Sequence, residues 1–294
     1  MQIKILTDSC CDLPLSYVHE HKEVIALIGM PIHIDDEEYI DDLGLTLSHD
    51  FFYQKLMDGV FPKTSQINIL VFFEKFKLSY EKGEALIYIG LSSGLSGTFN
   101  NAILAKEMFL EEHPDADITI INTLSASGGL GALVAHTTDL VEAGLTKEEV
   151  VSWIKTHVLK INHWFAIDDL EHLKNGGRIP AAMALVGTAL KVKPILTLAH
   201  DGKIKAYASV RGRQKSMQFL YSRFAENIGR AEEKFVFICH AHCLEDALKM
   251  KEFILKEHNP RQIIVSELSA TIGTHVGVGM LSVAFIGQNI REDK

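Results

Sequence analysis

The sequence predicts an α/β protein made of two α/β domains, with a mostly parallel sheet in the first. Short apolar runs rich in β-branched residues alternate with longer amphipathic runs, the pattern of parallel strands flanked by helices. The chain has 294 residues, 47% hydrophobic and 23% charged, with 21 Gly and only 7 Pro. That balance excludes disorder and low complexity, and the length leaves room for a core with an internal ligand cavity. A new series of elements begins after residue 160 with no Pro-rich or Ser-rich linker, so the expected units are residues 1–160 and 161–294.

Ile3 to Thr7 is the first expected strand and Val24 to Pro31 the second. The acidic stretch Asp35 to Asp42 has the character of an exposed hairpin or loop with a solvated face. Helices follow at Ser48 to Asp58 and Ile69 to Glu81, then a buried-type strand at Ala85 to Ile89 and a helix at Ser96 to Glu112. Ile118 to Ile121 is a strand, Ala126 to Ala143 and Lys147 to Leu159 are helices, and His163 to Ile167 restarts a strand. Val192 to Leu198 and Lys203 to Ala208 form a hairpin through Asp201-Gly202, a strong turn signal. The remaining pattern gives a helix at Lys215 to Ile228, a strand at Phe235 to Cys239, a helix at Leu244 to Glu257, and strands at Gln262 to Ser266 and Ser282 to Ile286.

Lys and Arg number 29 against 38 Asp and Glu, and the resulting charge of −9 argues against a nucleic-acid partner. The longest apolar runs, Ala181 to Leu190 and Val276 to Ile286, are interrupted and too short to span a bilayer. The N-terminus enters a strand-like run without the apolar core of a signal peptide, so a cytoplasmic location is expected. Cys10, Cys11, Cys239 and Cys243 do not form a secreted disulfide framework and are expected to stay reduced.

Three polar clusters fall beside predicted strand ends or helix starts, where open α/β sheets hold ligands: Thr64-Ser65-Gln66, Ser92 to Thr98, and Gly273 to Gly277. Hydroxyls, backbone N–H groups and an imidazole suit a small anion such as a carboxylate; the alternative is that Ser96 or Thr98 caps a helix and the glycines serve turns. Gly90-Leu91-Ser92-Ser93-Gly94 also matches the nucleophile elbow of serine hydrolases, with Ser92 as nucleophile, His275 as base and an acid such as Glu267. That pattern is weak in a Gly- and Ser-rich turn. Cys239, His240, His242 and Cys243 offer zinc-type ligands, but a strand ending at Cys239 and a helix starting at Leu244 make their side chains diverge, and no metal is expected. The chain contains no phosphate-binding loop, and Gly129-Leu130-Gly131 fails as a dinucleotide fingerprint at Val134.

Several segments in order resemble one family, the DegV proteins. They are Leu6 to Ser9 with Asp12-Leu13-Pro14, Thr64-Ser65-Gln66, Leu91 to Thr98, Leu124 to Gly131, Asp168 to Ile179, Lys193 to Leu196, Arg211-Gly212-Arg213, and Ile272 to Gly277. Cys10-Cys11 and the Cys239 to Cys243 segment depart from the family pattern. The resemblance implies two α/β domains with a fatty acid buried in a tunnel near the domain interface. It further implies a non-enzymatic subunit that presents the fatty acid to a separate ATP-binding fatty acid kinase subunit. Carboxylate contacts carry over to Thr64, Ser65, Ser93, Ser96 and His275, no cofactor is implied, and Arg178 and Arg211 are candidates for contact with the kinase subunit. Burying roughly fourteen methylenes at about 0.8 kcal/mol each supplies about 11 kcal/mol before the costs of binding, so the tail would dominate affinity and the carboxylate contacts orientation.

Overall fold

The computed structural model describes residues 1–168, 170–179 and 192–293. Asp169 of the family segment and the apolar run Ala181 to Leu190 lie outside the described residues.

The first sheet is four-stranded and entirely parallel, in the order β2-β1-β6-β7. Its strands are β1 (Gln2–Asp8), β2 (Ile25–Ile28), β6 (Glu84–Gly90) and β7 (Ile118–Asn122), with α1 (Leu15–Glu20) between β1 and β2. On one face lie α3 (Ile69–Glu81) and α4 (Thr98–Glu112), which bury Phe72, Phe76 and Phe109 against Leu86 and Tyr88. Each such ring contributes on the order of 1.5–3 kcal/mol.

The expected single strand Val24 to Pro31 is two strands in different sheets. After β2 the chain bends at Gly29, where a Cβ would fall 2.9 Å from the Asp41 carbonyl oxygen. It then enters β3 (Met30–Ile34), the middle of a three-stranded antiparallel sheet with β4 (Glu37–Asp41) and β5 (Lys63–Thr64). The acidic stretch thus forms the β3–β4 hairpin, but it is not wholly a solvated face, because Asp41 is buried. Helix α2 (His49–Met57) follows, capped by the Ser48 hydroxyl.

The third sheet has six strands in the order β10-β9-β8-β13-β11-β12. These are β8 (Ile161–Ala166), β9 (Val192–Leu198), β10 (Ile204–Arg211), β11 (Phe235–His240), β12 (Gln262–Glu267) and β13 (Leu281–Ile286); only β11 and β12 pair in parallel. Helices α8 (Arg213–Asn227) and α9 (Leu244–Glu257) cover its outer face around Trp164, Leu220, Phe224 and Met250. The remaining α-helices among the described residues are α5 (Ser127–Glu142), α6 (Lys147–His157), α7 (Glu171–Asn175) and α10 (Ala270–Val276).

Residue 160 falls between the first and third sheets in chain order, yet the core crosses it. Helix α5 packs on β8, β11 and β13 as well as on β1 and β6. One apolar cluster joins Ile5 and Ile89 of the first sheet, Leu130 and Leu133 of α5, and Phe165, Phe237 and Ile286 of the third. Polar ties reinforce it: Arg291 Nη2 donates to the carbonyls of Leu124 (3.0 Å) and Ala199 (2.7 Å), and Tyr53 donates to the Leu268 carbonyl (3.1 Å).

Candidate functional site

A cavity of about 380 Å³ opens where residues from both sides of position 160 meet. Most of its wall is apolar: Met30, Leu91 and Leu95 come from the first half, and Phe165, Leu198 and Met280 from the second. Thr64, Ser65, Gln66, Ser96, Arg178 and His275 add a polar group to the lining.

Each polar residue is delivered by an element end. Strand β5 stops at Thr64 and releases Ser65 and Gln66, while Ser96 lies in the turn before α4. Thr98 N donates to Ser96 Oγ (3.2 Å), and the Ser96 and Thr98 hydroxyls lie 3.0 Å apart. Ser65 Oγ is 3.3 Å from His33 Nε2. Arg178 follows α7 and is steadied by donating to the carbonyls of Leu95 and Gly176.

His275 rides on α10, a helix whose sequence is poor in helix formers but whose first turn is well capped. Asp12 Oδ1 accepts from Ser269 N (2.8 Å) and Asp41 Oδ2 from Thr271 N (2.8 Å), and the Ser269 hydroxyl accepts from Ile272 N. Carboxylates suit the positive end of a helix. Burial pushes the Asp12 carboxyl up to about 7 against the lowering effect of its hydrogen bonds, and burial also raises Asp41.

His275 Nε2 and Thr64 Oγ1 share a hydrogen bond of 2.9 Å, whereas the buried Nδ1 has no partner. Burial, with Arg178 and His172 nearby, lowers the imidazole to about 4, so it is neutral at physiological pH. A Cβ at Gly176 would collide with Nδ1, which explains the glycine there. A neutral imidazole, three hydroxyls and a guanidinium can together hold a carboxylate through charge-assisted hydrogen bonds while an aliphatic chain occupies the apolar wall.

Thr64, Ser65, Ser96 and His275 therefore stand on one lining, but Ser93 stands apart. Its side chain is exposed and accepts from Asn122 Nδ2 (2.7 Å), because the turn that brings Ser96 inward sends Ser93 outward. Arg178, expected at a partner contact, lines the cavity; Arg211 is exposed at the end of β10.

The hydrolase arrangement is not assembled. Ser92 is fully buried and donates to the Gly202 carbonyl (2.9 Å), His275 is engaged with Thr64, and Glu267 faces His242 at 3.5 Å. Nor do the four metal-type residues converge. Cys239 points at α5, His240 Nδ1 accepts from Cys243 N, His242 stacks on Tyr53, and Cys243 Sγ accepts from Arg213 and donates to the Met280 carbonyl. Among the described residues no group of three or more His, Cys, Asp or Glu is arranged to hold a metal ion, and no helix is long and apolar enough to cross a membrane.

Residues 2–288 match the family model for uncharacterised proteins of the DegV family. The chain belongs to the DegV family. A DegV domain-containing protein of Clostridium perfringens is 38% identical over 283 residues, covering 96% of this chain and 97% of that protein. Among solved DegV structures, a fatty-acid-binding protein from Thermus thermophilus shares 27% identity with a TM-score of 0.87, covering 98% of this chain and 100% of its own. The fatty-acid-binding DegV of Bacillus subtilis shares 27% identity with a TM-score of 0.84 and the same coverage. Fatty-acid binding is thus a property of solved DegV proteins, and the mixed α/β fold is common to them and this chain.

Sequence reasoning missed three residues in this DegV chain. Asp41 looked like part of a solvated acidic run, and nothing local distinguishes it. Asp12 lies between the apolar Cys11 and Leu13, a hint of burial. His163 is sent inward by strand alternation, but only the tertiary structure shows that it lines the cavity.

Proposed function

We propose that this protein binds a long-chain fatty acid in the cavity and presents its carboxylate to a separate ATP-dependent fatty acid kinase subunit, which forms the acyl phosphate. The carrying observation is a mainly apolar cavity of about 380 Å³ with Thr64, Ser65, Ser96, Arg178 and His275 on its lining. That size is typical of small-molecule sites, roughly 300–1,000 Å³. Thr64, Ser65, Ser96 and His275 are the proposed carboxylate contacts, with Arg178 supplying positive charge; Ser93 is left out because it faces away. The kinase role rests on the family resemblance and on a sequence with no phosphate-binding loop of its own. Arg211 is the cleaner candidate for kinase docking, since changing Arg178 alters the cavity too.

Organic extraction and mass spectrometry of the gently purified protein should recover a fatty acid near one equivalent; its absence counts against the reading. With the cognate kinase subunit, ATP and a fatty acid, acyl phosphate should form, and neither chain alone should make it. Losing a hydrogen bond to a charged group costs about 1.5–3 kcal/mol, less than the tail contributes. His275→Ala should therefore retain lipid weakly while acyl phosphate formation falls further; wild-type turnover in this variant and in Thr64→Ala would remove the head-group assignment. Arg211→Glu should slow association with the kinase without changing lipid content.

A further inference from the structure

Neither ring nitrogen of His163 has a hydrogen-bond partner, although the residue is only 3% exposed and lines the cavity. Strand alternation in β8 sends Ile161, His163 and Phe165 toward α5, while Trp164 and Ala166 face α8 and α9. The Phe165 ring centroid is 5.4 Å away, and a Cβ on Gly129 would lie 3.5 Å from Nδ1 and would collide with the buried Ser125 hydroxyl, which also has no hydrogen-bond partner. Buried polar side chains normally find a partner, so an orphan on a cavity wall marks a place where a ligand can supply one.

A neutral imidazole presents one N–H donor and one nitrogen acceptor. A hydroxyl can pair with whichever ring nitrogen faces the cavity, because it both donates and accepts; a carboxylate can pair only with the N–H. Burial, with Arg291 nearby, lowers His163 to about 4 and so keeps the ring neutral. The charged end of a ligand is better served by Arg178 and the hydroxyls beside it. We propose that His163 is a polar station for a hydroxyl carried part-way along the acyl chain, making hydroxylated long-chain fatty acids a preferred ligand class of this cavity. The proposal rests on the fatty-acid reading of the cavity and deepens it. A plain saturated chain leaves both nitrogens unpaired, whereas a hydroxyl on the carbon that passes the ring pairs with one of them.

The test uses the full-length, delipidated protein and a competition between stearate and a positional series of stearates hydroxylated near mid-chain, read by mass spectrometry of the retained lipid. One isomer should be retained about 5- to 10-fold over stearate, as expected for one net hydrogen bond. His163→Phe keeps a ring of similar shape without the nitrogens and should abolish that preference while retaining stearate; His163→Gln, with one donor and one acceptor, should keep part of it. If His163→Phe does not fold, the ¹⁵N resonances of His163 in the wild-type chain decide, moving with the favoured isomer and not with stearate. Stearate retention with no isomer preferred, or a preference that survives in His163→Phe, overturns the proposal alone. Failure to retain any of these acids overturns the fatty-acid reading with it.

Discussion

The two helices whose first turns border the cavity, α5 and α10, are held in place by different physics. Helix α5 has no side-chain cap at its N-terminus, and most of its residues are buried. It is held by shape: Gly128 lies against Phe237 and Cys239, and Gly131 against the Cys11 carbonyl and the Phe237 ring. Helix α10 is less than half as long and is held by hydrogen bonds from its first amides to the buried Asp12 and Asp41 carboxyl groups. A helix held by shape is sensitive to volume and nearly indifferent to pH; a helix held by buried carboxylates is the reverse. His275 rides on the second kind, so the proposed head-group site inherits a dependence on ionisation that the apolar wall lacks.

The largest effect should follow from adding volume to α5. A Cβ at position 131 would lie 2.5 Å from the Cys11 carbonyl oxygen and 2.9 Å from Phe237 Cε1. Replacing a helical glycine with alanine normally gains about 1 kcal/mol of helix propensity, but overpacking typically costs 1–3 kcal/mol, and more against rigid backbone. Gly131→Ala should lose about 2 kcal/mol in urea denaturation, and Gly131→Val should not yield soluble protein. A neutral result for Gly131→Ala would show that shape does not hold α5.

An intermediate effect should appear at Asp12 and depend on pH. Between pH 3.8 and about 7 the folded chain keeps a proton on Asp12 that the unfolded chain has released. Stability from this group is therefore greatest at low pH and is lost as pH rises through that window. Asp12→Asn retains an oxygen for Ser269 N and removes the titration. Urea midpoints measured from pH 4 to 8 should show the wild type losing ground to Asp12→Asn up to about pH 7 and running parallel above it. Curves that stay parallel throughout would break the contrast between the two helices.

The smallest effect belongs to a polar tie near the start of α5. Ser92 donates its amide to the Ser125 carbonyl (2.9 Å) and its hydroxyl to the Gly202 carbonyl (2.9 Å). Ser92→Ala should cost about 1 kcal/mol and leave lipid content unchanged. A fluorophosphonate probe should not label the wild type; labelling that disappears in Ser92→Ala would restore the hydrolase reading.

The same contrast explains what the sequence made legible. Periodicity located α3, α9 and β9 to the residue because each presents a regular apolar face within its own segment. The clusters that contain Thr64, Ser65, Ser96 and His275 were visible because hydroxyls and an imidazole beside element ends are local patterns, and the family resemblance singled out these residues within them. Helix α10 was not foreseen: Thr271, Gly273 and Thr274 are poor helix formers, and beside the local Ser269 cap its two carboxyl partners come from residues more than two hundred positions earlier in the chain. The division of Val24 to Pro31 was hidden for a similar reason, since the bend at Gly29 is set by a neighbouring strand. Ser93 and Ser96, equivalent as sequence, part only because the turn between them points one outward.

The position of β13 has a consequence for biosynthesis. It lies between β8 and β11 in the middle of the third sheet, although it is translated after both. At about 5–20 residues per second, its last residue leaves the ribosome roughly 7–30 s after the end of α5. Until then the Gly- and Ala-rich face of α5 that β13 covers stays open, and β8 and β11, once made, lack their shared neighbour. The segment that completes the core is also the one for which the nascent chain waits longest.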